Sequence, residues 1–145
     1  MGRPVREPIG RQLTRTAKIL GRAFDDALVA AGGSQPMWLV LITLKSRQVA
    51  NQRELADAVG IRGATLTHHL NAMESVGLVT RRRHPDNRRV HLVELTAEGD
   101  ALFLRLREVV TAFDRRIRDG LSEEDVARLG DLLTRLRANV ADQAS

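Results

Sequence analysis

The sequence predicts a mainly α fold with a small β-wing: a winged helix-turn-helix module flanked by N- and C-terminal dimerisation helices. Three observations carry that expectation. Residues Gln52 to Thr96, QRELADAVGIRGATLTHHLNAMESVGLVTRRRHPDNRRVHLVELT, read as a short helix, a tight turn, a second helix and a basic two-stranded hairpin, in that order. Helical apolar spacing continues on both sides, with more apolar surface than a domain of about 45 residues can cover. Apolar residues make up 43% of the 145-residue chain, enough for a packed core. The segments expected are 1–33 (N-terminal dimerisation), 34–97 (winged module) and 98–145 (C-terminal dimerisation helices).

Met1 to Pro8, with two prolines and two arginines, is expected to stay loose. From Ile9 the apolar residues Leu13, Ala17, Leu20, Phe24, Leu28 and Ala31 recur at helical spacing, and Gly32-Gly33 stops the helix. Arg11, Arg15, Lys18 and Arg22 fall on the opposite side. That stripe is either a solvated face or a set of cations that approach DNA or an acidic ligand. Ser34 is an N-cap candidate with Pro36 in the first turn. Trp38 to Leu44 follow almost without polar interruption, which marks a helix buried on several sides and makes it the central pillar. Lys45 to Ala50 reads as a polar connector.

Asn51 with Glu54 three residues on makes a capping-box-like start to a short helix, Gln52 to Val59, and Gly60 permits the turn. The next helix, from about Gly63 to Val76, splits its faces. Leu66, Leu70, Met73 and Val76 share one sector; Ala64, Thr67, His68 and Asn71 share the other. Small and hydrogen-bonding residues on a free face suit major-groove insertion, through methyl contacts to thymine and hydrogen bonds to base edges. Gly77 closes this helix. Leu78 to Arg83 and Val90 to Leu95 read as strands, joined by His84-Pro85-Asp86-Asn87-Arg88-Arg89 with its turn chemistry. Five arginines lie between Arg81 and Arg89 against one acid, Asp86. Such arginines can enter the narrow minor groove and neutralise phosphates, or simply guard a hairpin edge from aggregation. Thr96-Ala97-Glu98 looks like another N-cap. Leu102, Leu106, Val109, Phe113 and Ile117, widened by Phe103 and Val110, mark a long amphipathic helix ended by Gly120. Ser122 with three acids caps a last helix whose stripe is Val126, Leu129, Leu132, Leu133, Leu136 and Val140. The surplus apolar surface of the terminal helices is best used in a helical dimer interface, with an intramolecular bundle as the alternative.

Composition narrows the function classes. A net charge of +5 and a pI near 11.1 lean toward an anionic partner. With no cysteine, disulfides and thiol switches are excluded and a reducing, cytoplasmic setting is expected, on the nucleoid if DNA is the partner. The apolar run Met37 to Leu44 is far shorter than the roughly 20 residues a membrane span needs, so no membrane partner is expected. Aromatic content of 3% without tyrosine argues against single-strand binding by base stacking. An enzyme is not expected: there is no cysteine nucleophile, Gly-rich phosphate loop or serine elbow. The histidines at 68, 69, 84 and 91 all lie in the winged module, and His68 and His69 diverge by about 100° on their helix, so neither a metal nor another cofactor is expected.

From about Gln52 to Gly99 the chain resembles the MarR family of winged-helix transcriptional regulators, through LADAVGI, ATLTHHLNAMESVGLVTRR and DNRRVHLVELTAEG. The resemblance implies a homodimer with interlocked terminal helices, a palindromic double-stranded operator read by paired recognition helices and wings, and release by a small molecule. Four positions depart from the family pattern, one of them Val90, which stands where the family usually has a small residue. Asn87 stands where the wing usually carries Asp ahead of the arginine matching Arg89. Arg62 replaces a common Ser or Thr at the N-cap, exchanging a capping hydroxyl for a phosphate contact. His69 replaces an aliphatic residue.

The DNA-contacting residues expected are therefore Arg62, Gly63, Ala64, Thr65, Thr67, His68 and Asn71 in the recognition helix, and Arg81, Arg83, Asp86, Asn87, Arg88 and Arg89 in the wing. Asn51 and Gln52 start the motif. Arg15, Trp38 and His69 are candidates to line an effector pocket for a small molecule such as an aromatic acid, as anchor, wall and polar hook. For His69 the alternative is a satisfied, partly buried histidine. The competing function is a DNA-bridging protein with little sequence choice.

Overall fold

A computed structural model of the chain describes residues 6–47 and 49–141. The expected loose start therefore falls largely, at Met1–Val5, outside the described residues. The elements are α1 (Ile9–Ala30), α2 (Gln35–Arg47), β1 (Val49–Asn51), α3 (Gln52–Val59), α4 (Gly63–Ser75), β2 (Val79–Arg83), β3 (His91–Leu95), α5 (Ala97–Ile117) and α6 (Glu123–Ala141). The chain packs as two units, Met1–Val110 and Thr111–Ser145. Neither boundary of the expected segments, at 33/34 or 97/98, coincides with the division between these units.

In the first unit α2 is the pillar. Val40, Leu41 and Leu44 are fully buried, and α1, α3, α4, β1 and β3 all pack on it. Its ring Trp38 stacks on Phe103 of α5, with centroids 5.5 Å apart and planes 3° from parallel. Leu28, Leu55, Leu66, Leu70, Met73, Val79, Val93, Leu102 and Leu106 complete one core. The α1 stripe engages this core only at its C-terminal end: Leu28 is buried, whereas Ile9 is 62% exposed and Leu13 and Leu20 are exposed.

Local chemistry sets most boundaries. The N–H of Gly33 donates to the Leu28 carbonyl at 2.9 Å while Gly32 takes φ +92°, closing α1 as the glycine pair requires. Asn51 Oδ1 accepts from the Glu54 N–H at 2.8 Å, and the Asn51 amide donates back to the Glu54 carboxylate at 2.9 Å. This is a capping box closed through the side-chain amide instead of the backbone N–H. Thr96 Oγ1 accepts from the Gly99 N–H at 3.0 Å to cap α5. A Cβ on Gly99 would lie 2.1 Å from the Leu78 carbonyl oxygen, so only glycine lets α5 start against the wing.

Three expectations need correction. The connector expected at Lys45–Ala50 is instead the last turn of α2, through Arg47, and the start of β1; Gln48 lies outside the described residues. Lys45 and Arg47 suit a helix C-terminus electrostatically, and a three-residue strand leaves no periodicity to read. Val76 is 67% exposed, because it is the C-cap, at φ −100° and ψ 9°, and has left the helical wheel that would bury it. The strands begin one residue later than read, at Val79 and His91, since the Leu78 carbonyl is taken by the Thr96 N–H and Val90 closes the loop.

The sheet order is β1-β3-β2, antiparallel throughout, with β3 central. In the second unit, Ser122 and Asp125 exchange hydrogen bonds at 3.0 and 3.1 Å to cap α6. No described residue of α6 is buried, and Leu129 and Leu132 of its stripe are about half exposed.

Candidate nucleic-acid interface

Helix α4 is held by its buried face, Leu66, Leu70 and Met73, and by a side-chain clamp to α3. Gln52 Nε2 donates to Thr67 Oγ1 at 2.6 Å, and that hydroxyl donates to the Gly63 carbonyl at 2.9 Å. The clamp fixes the angle of the two-helix motif. It also takes up the Thr67 hydroxyl, so Thr67, half-buried, serves the motif rather than presenting a free donor. Gly63, Ala64, Thr65, His68 and Asn71 are exposed on the outer face. Arg62 occupies the N-cap without a side-chain cap bond, leaving its guanidinium free among the described residues.

The wing is tied to that helix. Residues Val79, Arg81 and Arg83 share one face of β2 opposite Leu95, Val93 and His91. Arg81 thus lies beside the core, its side chain 19% exposed, and reaches α4. Its Nη2 donates to Glu74 Oε1 at 3.0 Å and to Asn71 Oδ1 at 2.6 Å, while its backbone N–H donates to Glu74 Oε2 at 3.0 Å. The Arg81 hydrogen bond, helped by its charge, holds the Glu74 carboxyl below the ordinary carboxylate range. Glu74 is invisible to a search for DNA-binding residues, because an acid on a basic surface reads as solvated filler. Its signal is the helical i, i+3 spacing from Asn71 together with a following arginine strand.

On the other sheet face Arg82 leans toward Glu94 at 3.6 Å. Arg83, Arg88 and Arg89 make no side-chain ion pair among the described residues and are exposed. The tip is internally bonded: His84 Nδ1 accepts the Asp86 N–H at 3.0 Å, and Asn87 Oδ1 accepts the Arg89 N–H at 3.2 Å. Asn87 therefore positions the Arg89 backbone in place of a carboxylate. Asp86 is exposed and braces nothing through its carboxylate among the described residues. Arg53 is a further basic residue that sequence reading passed over. It lines two concavities at once, one with Arg62, Gly63 and Thr67, the other with Arg89, Val90 and His91. Free cations thus run from the N-terminus of α4 past α3 to the wing.

Comparison with known proteins decides the class. A family model described as MarR family matches residues 34–91. An uncharacterised HTH-type transcriptional regulator of Bacillus subtilis (strain 168), YdgJ, is 32% identical over 129 residues, covering 89% of this chain and 77% of that protein. The chain belongs to the MarR family. Its members are DNA-binding transcriptional regulators, not enzymes. Among solved structures, the transcriptional repressor CouR bound to a 23-mer DNA duplex is 26% identical, with a TM-score of 0.82 over 90% of this chain and 92% of that one. NadR in complex with 4-hydroxyphenylacetate is 26% identical, with a TM-score of 0.69 over 94% and 96%.

The effector-lining candidates of this MarR-family chain share no bond or ring contact with one another among the described residues. Trp38 is 7% exposed and its face is taken by Phe103. Arg15 is bonded to Glu7 at 2.8 Å. His69 is half-buried, edge-on to His68 at 5.8 Å. A further concavity, lined by Leu44, Lys45, Glu94, Leu95, Thr96, Ala97 and Asp100, sets two acids against one lysine that already pairs with Asp100, and so does not suit an anion. No cluster of three metal-ligating side chains occurs among the described residues, and no single helix is long and apolar enough to cross a membrane.

Proposed function

We propose that this chain is a homodimeric, sequence-specific double-stranded-DNA-binding repressor that reads a palindromic operator and is released by a small molecule, with an aromatic acid as the first class to test. The observation that carries the reading is the pairing of a free, hydrogen-bonding α4 face with ion-pair-free arginines at a wing fixed to the same helix. In a twofold dimer, two copies of α4 would enter major grooves roughly 34 Å apart, with Arg89 of each wing beside the adjacent minor groove. Ala64, Thr65, His68 and Asn71 supply base contacts; Arg53, Arg62, Arg83 and Arg88 supply phosphate contacts. The binding of DNA by CouR and of 4-hydroxyphenylacetate by NadR supports the two halves of the proposal.

Dimerisation is supported by the exposed stripe Ile9, Leu13 and Leu20 of α1 and by Leu129 and Leu132 of α6, apolar surface that a monomer leaves in water. Release needs a ligand that favours one spacing of the recognition helices over another, a coupling of about 1–3 kcal/mol. Arg15, Trp38 and His69 remain the residues to vary, with rearrangement of the Arg15–Glu7 pair a requirement for Arg15 to serve.

Selection of duplexes from a random pool, followed by competition at fixed salt, tests the DNA half. Recovery of one palindrome that outcompetes random duplex is the expected result. Equal retention of all duplexes would favour a bridging protein. A release screen with small aromatic acids on the recovered palindrome tests the other half, and no release by any of them would remove that ligand class.

A further inference from the structure

The hydrogen bond between Arg81 and Asn71 has a consequence for which base Asn71 can read. A guanidinium carries only donors, so the Asn71 atom facing Arg81 Nη2 at 2.6 Å is the carbonyl oxygen. The amide is thereby oriented without ambiguity. Its Nδ2 points away from Arg81, with no partner among the described residues, on an exposed position of α4. Arg81 cannot easily let go, because Glu74 holds it twice, through the guanidinium and through the backbone N–H, both at 3.0 Å.

An asparagine free at both ends reads adenine as a fork: Oδ1 accepts from N6 while Nδ2 donates to N7. Here Arg81 takes one of the two Oδ1 lone pairs and holds that oxygen turned toward itself, so that Nδ2 leads at the free end of the side chain. We propose that α4 presents Asn71 as a donor only, so that the base beneath it is read as an acceptor edge, with guanine favoured over adenine, and that Glu74 sets this choice through Arg81. Guanine offers O6 and N7 to one amide N–H2 group and no opposing donor. Thymine O4 is the second choice. Adenine places its N6 donor against Nδ2, and cytosine offers only a donor. Glu74 and Arg81 are positioning residues in this scheme, because neither needs to touch the base.

The inference rests on the reading of α4 as a base-reading helix, and one experiment separates the two. Duplexes are selected from a random pool with the full-length wild type and with Asn71→Ala, Arg81→Met and Asn71→Asp. Asn71→Ala locates the step, which becomes degenerate while the rest of the site persists. At that step the wild type selects guanine. Arg81→Met keeps an apolar stem beside Val93 but frees Oδ1, and the guanine-to-adenine ratio falls about tenfold, the size of one base-edge discrimination. Asn71→Asp, which keeps the shape and deletes the Nδ2 donor, loses the guanine preference and serves if Arg81→Met folds poorly. A wild type that selects adenine at that step would overturn the inference, as would a ratio that Arg81→Met leaves within twofold, or an Asn71→Ala profile with no degenerate step. In each of those cases preferences elsewhere in the site still uphold the functional reading. A featureless profile from the wild type would instead sink that reading itself.

Discussion

Replacing Arg89 with Ala isolates the wing. Arg89 sits at the hairpin tip, exposed and without an ion pair among the described residues, its backbone pinned by the Asn87 side chain at 3.2 Å. Nothing in the fold depends on its guanidinium, so the variant keeps wild-type stability. A cation in the minor groove displaces counterions as a phosphate contact does, so deleting it flattens the slope of log K against log salt by about 0.9, or about 1.8 for the two wings of a dimer. Between about 50 and 200 mM salt, roughly a fourfold change, the wild type should therefore lose about ten times more affinity than the variant. Arg82 provides the comparison. It lies on the opposite face of β2 and leans on Glu94, so Arg82→Ala should alter the slope by less than half as much. The assay is fluorescence anisotropy on the selected operator across a salt series. A slope for Arg89→Ala that matches wild type would remove the wing from the interface and refute the reasoning.

Other perturbations test other links. Gly99→Ala pushes a Cβ to 2.1 Å from the Leu78 carbonyl and should destabilise by about 3 kcal/mol in denaturant titration, the upper end of overpacking costs; a smaller loss than about 1 kcal/mol would mean that α5 shifts freely. Asn51→Ala removes the α3 cap and should cost about 1 kcal/mol by the same measurement. His68→Ala should relax base preference without loss of stability, whereas Thr67→Val, which breaks the Gln52 clamp, should weaken all duplexes together; equal effects would put the clamp and the reading face in the same role. For Glu74 the folded-state pKa is depressed, so its contribution is complete above the ordinary carboxylate value and declines as pH falls toward the lowered one. Glu74→Gln should flatten that acid limb in urea midpoints taken across low pH, and an unchanged limb would mean that the Arg81 hydrogen bond is not kept in solution.

Much of this fold is legible because single residues enforce it. Asn51, Gly60, Gly77, Thr96 and Ser122 mark helix ends by capping chemistry that acts over three or four positions, and those ends stand within a residue or two of the reading. What the sequence hides depends on partners distant along the chain. Strand β1 exists because β3 offers an edge to Val49–Asn51, and nothing within VAN announces it. Trp38 looks available for a ligand because a lone tryptophan in an apolar helix does not reveal that Phe103, far along the chain, covers it. The site shows the same division. The free face of α4 and the arginine tip follow from period and charge. The Glu74–Arg81–Asn71 network does not, because the pleat of β2 puts both Arg81 and Arg83 on the face toward α4, and only the packing of the helix shows that Arg81 is the one it meets. Arg53 likewise looks like ordinary helix surface until the concavities on either side of it are seen.

The central claim is that paired α4 helices choose their DNA by base contacts rather than by charge alone. The most direct measurement is the ratio of Kd values for the selected palindrome and for a scrambled duplex of equal length and composition, at one physiological salt concentration. The account predicts at least about a thousandfold preference for the palindrome, the lower bound for specific regulators. Equal affinity for the two duplexes would contradict it.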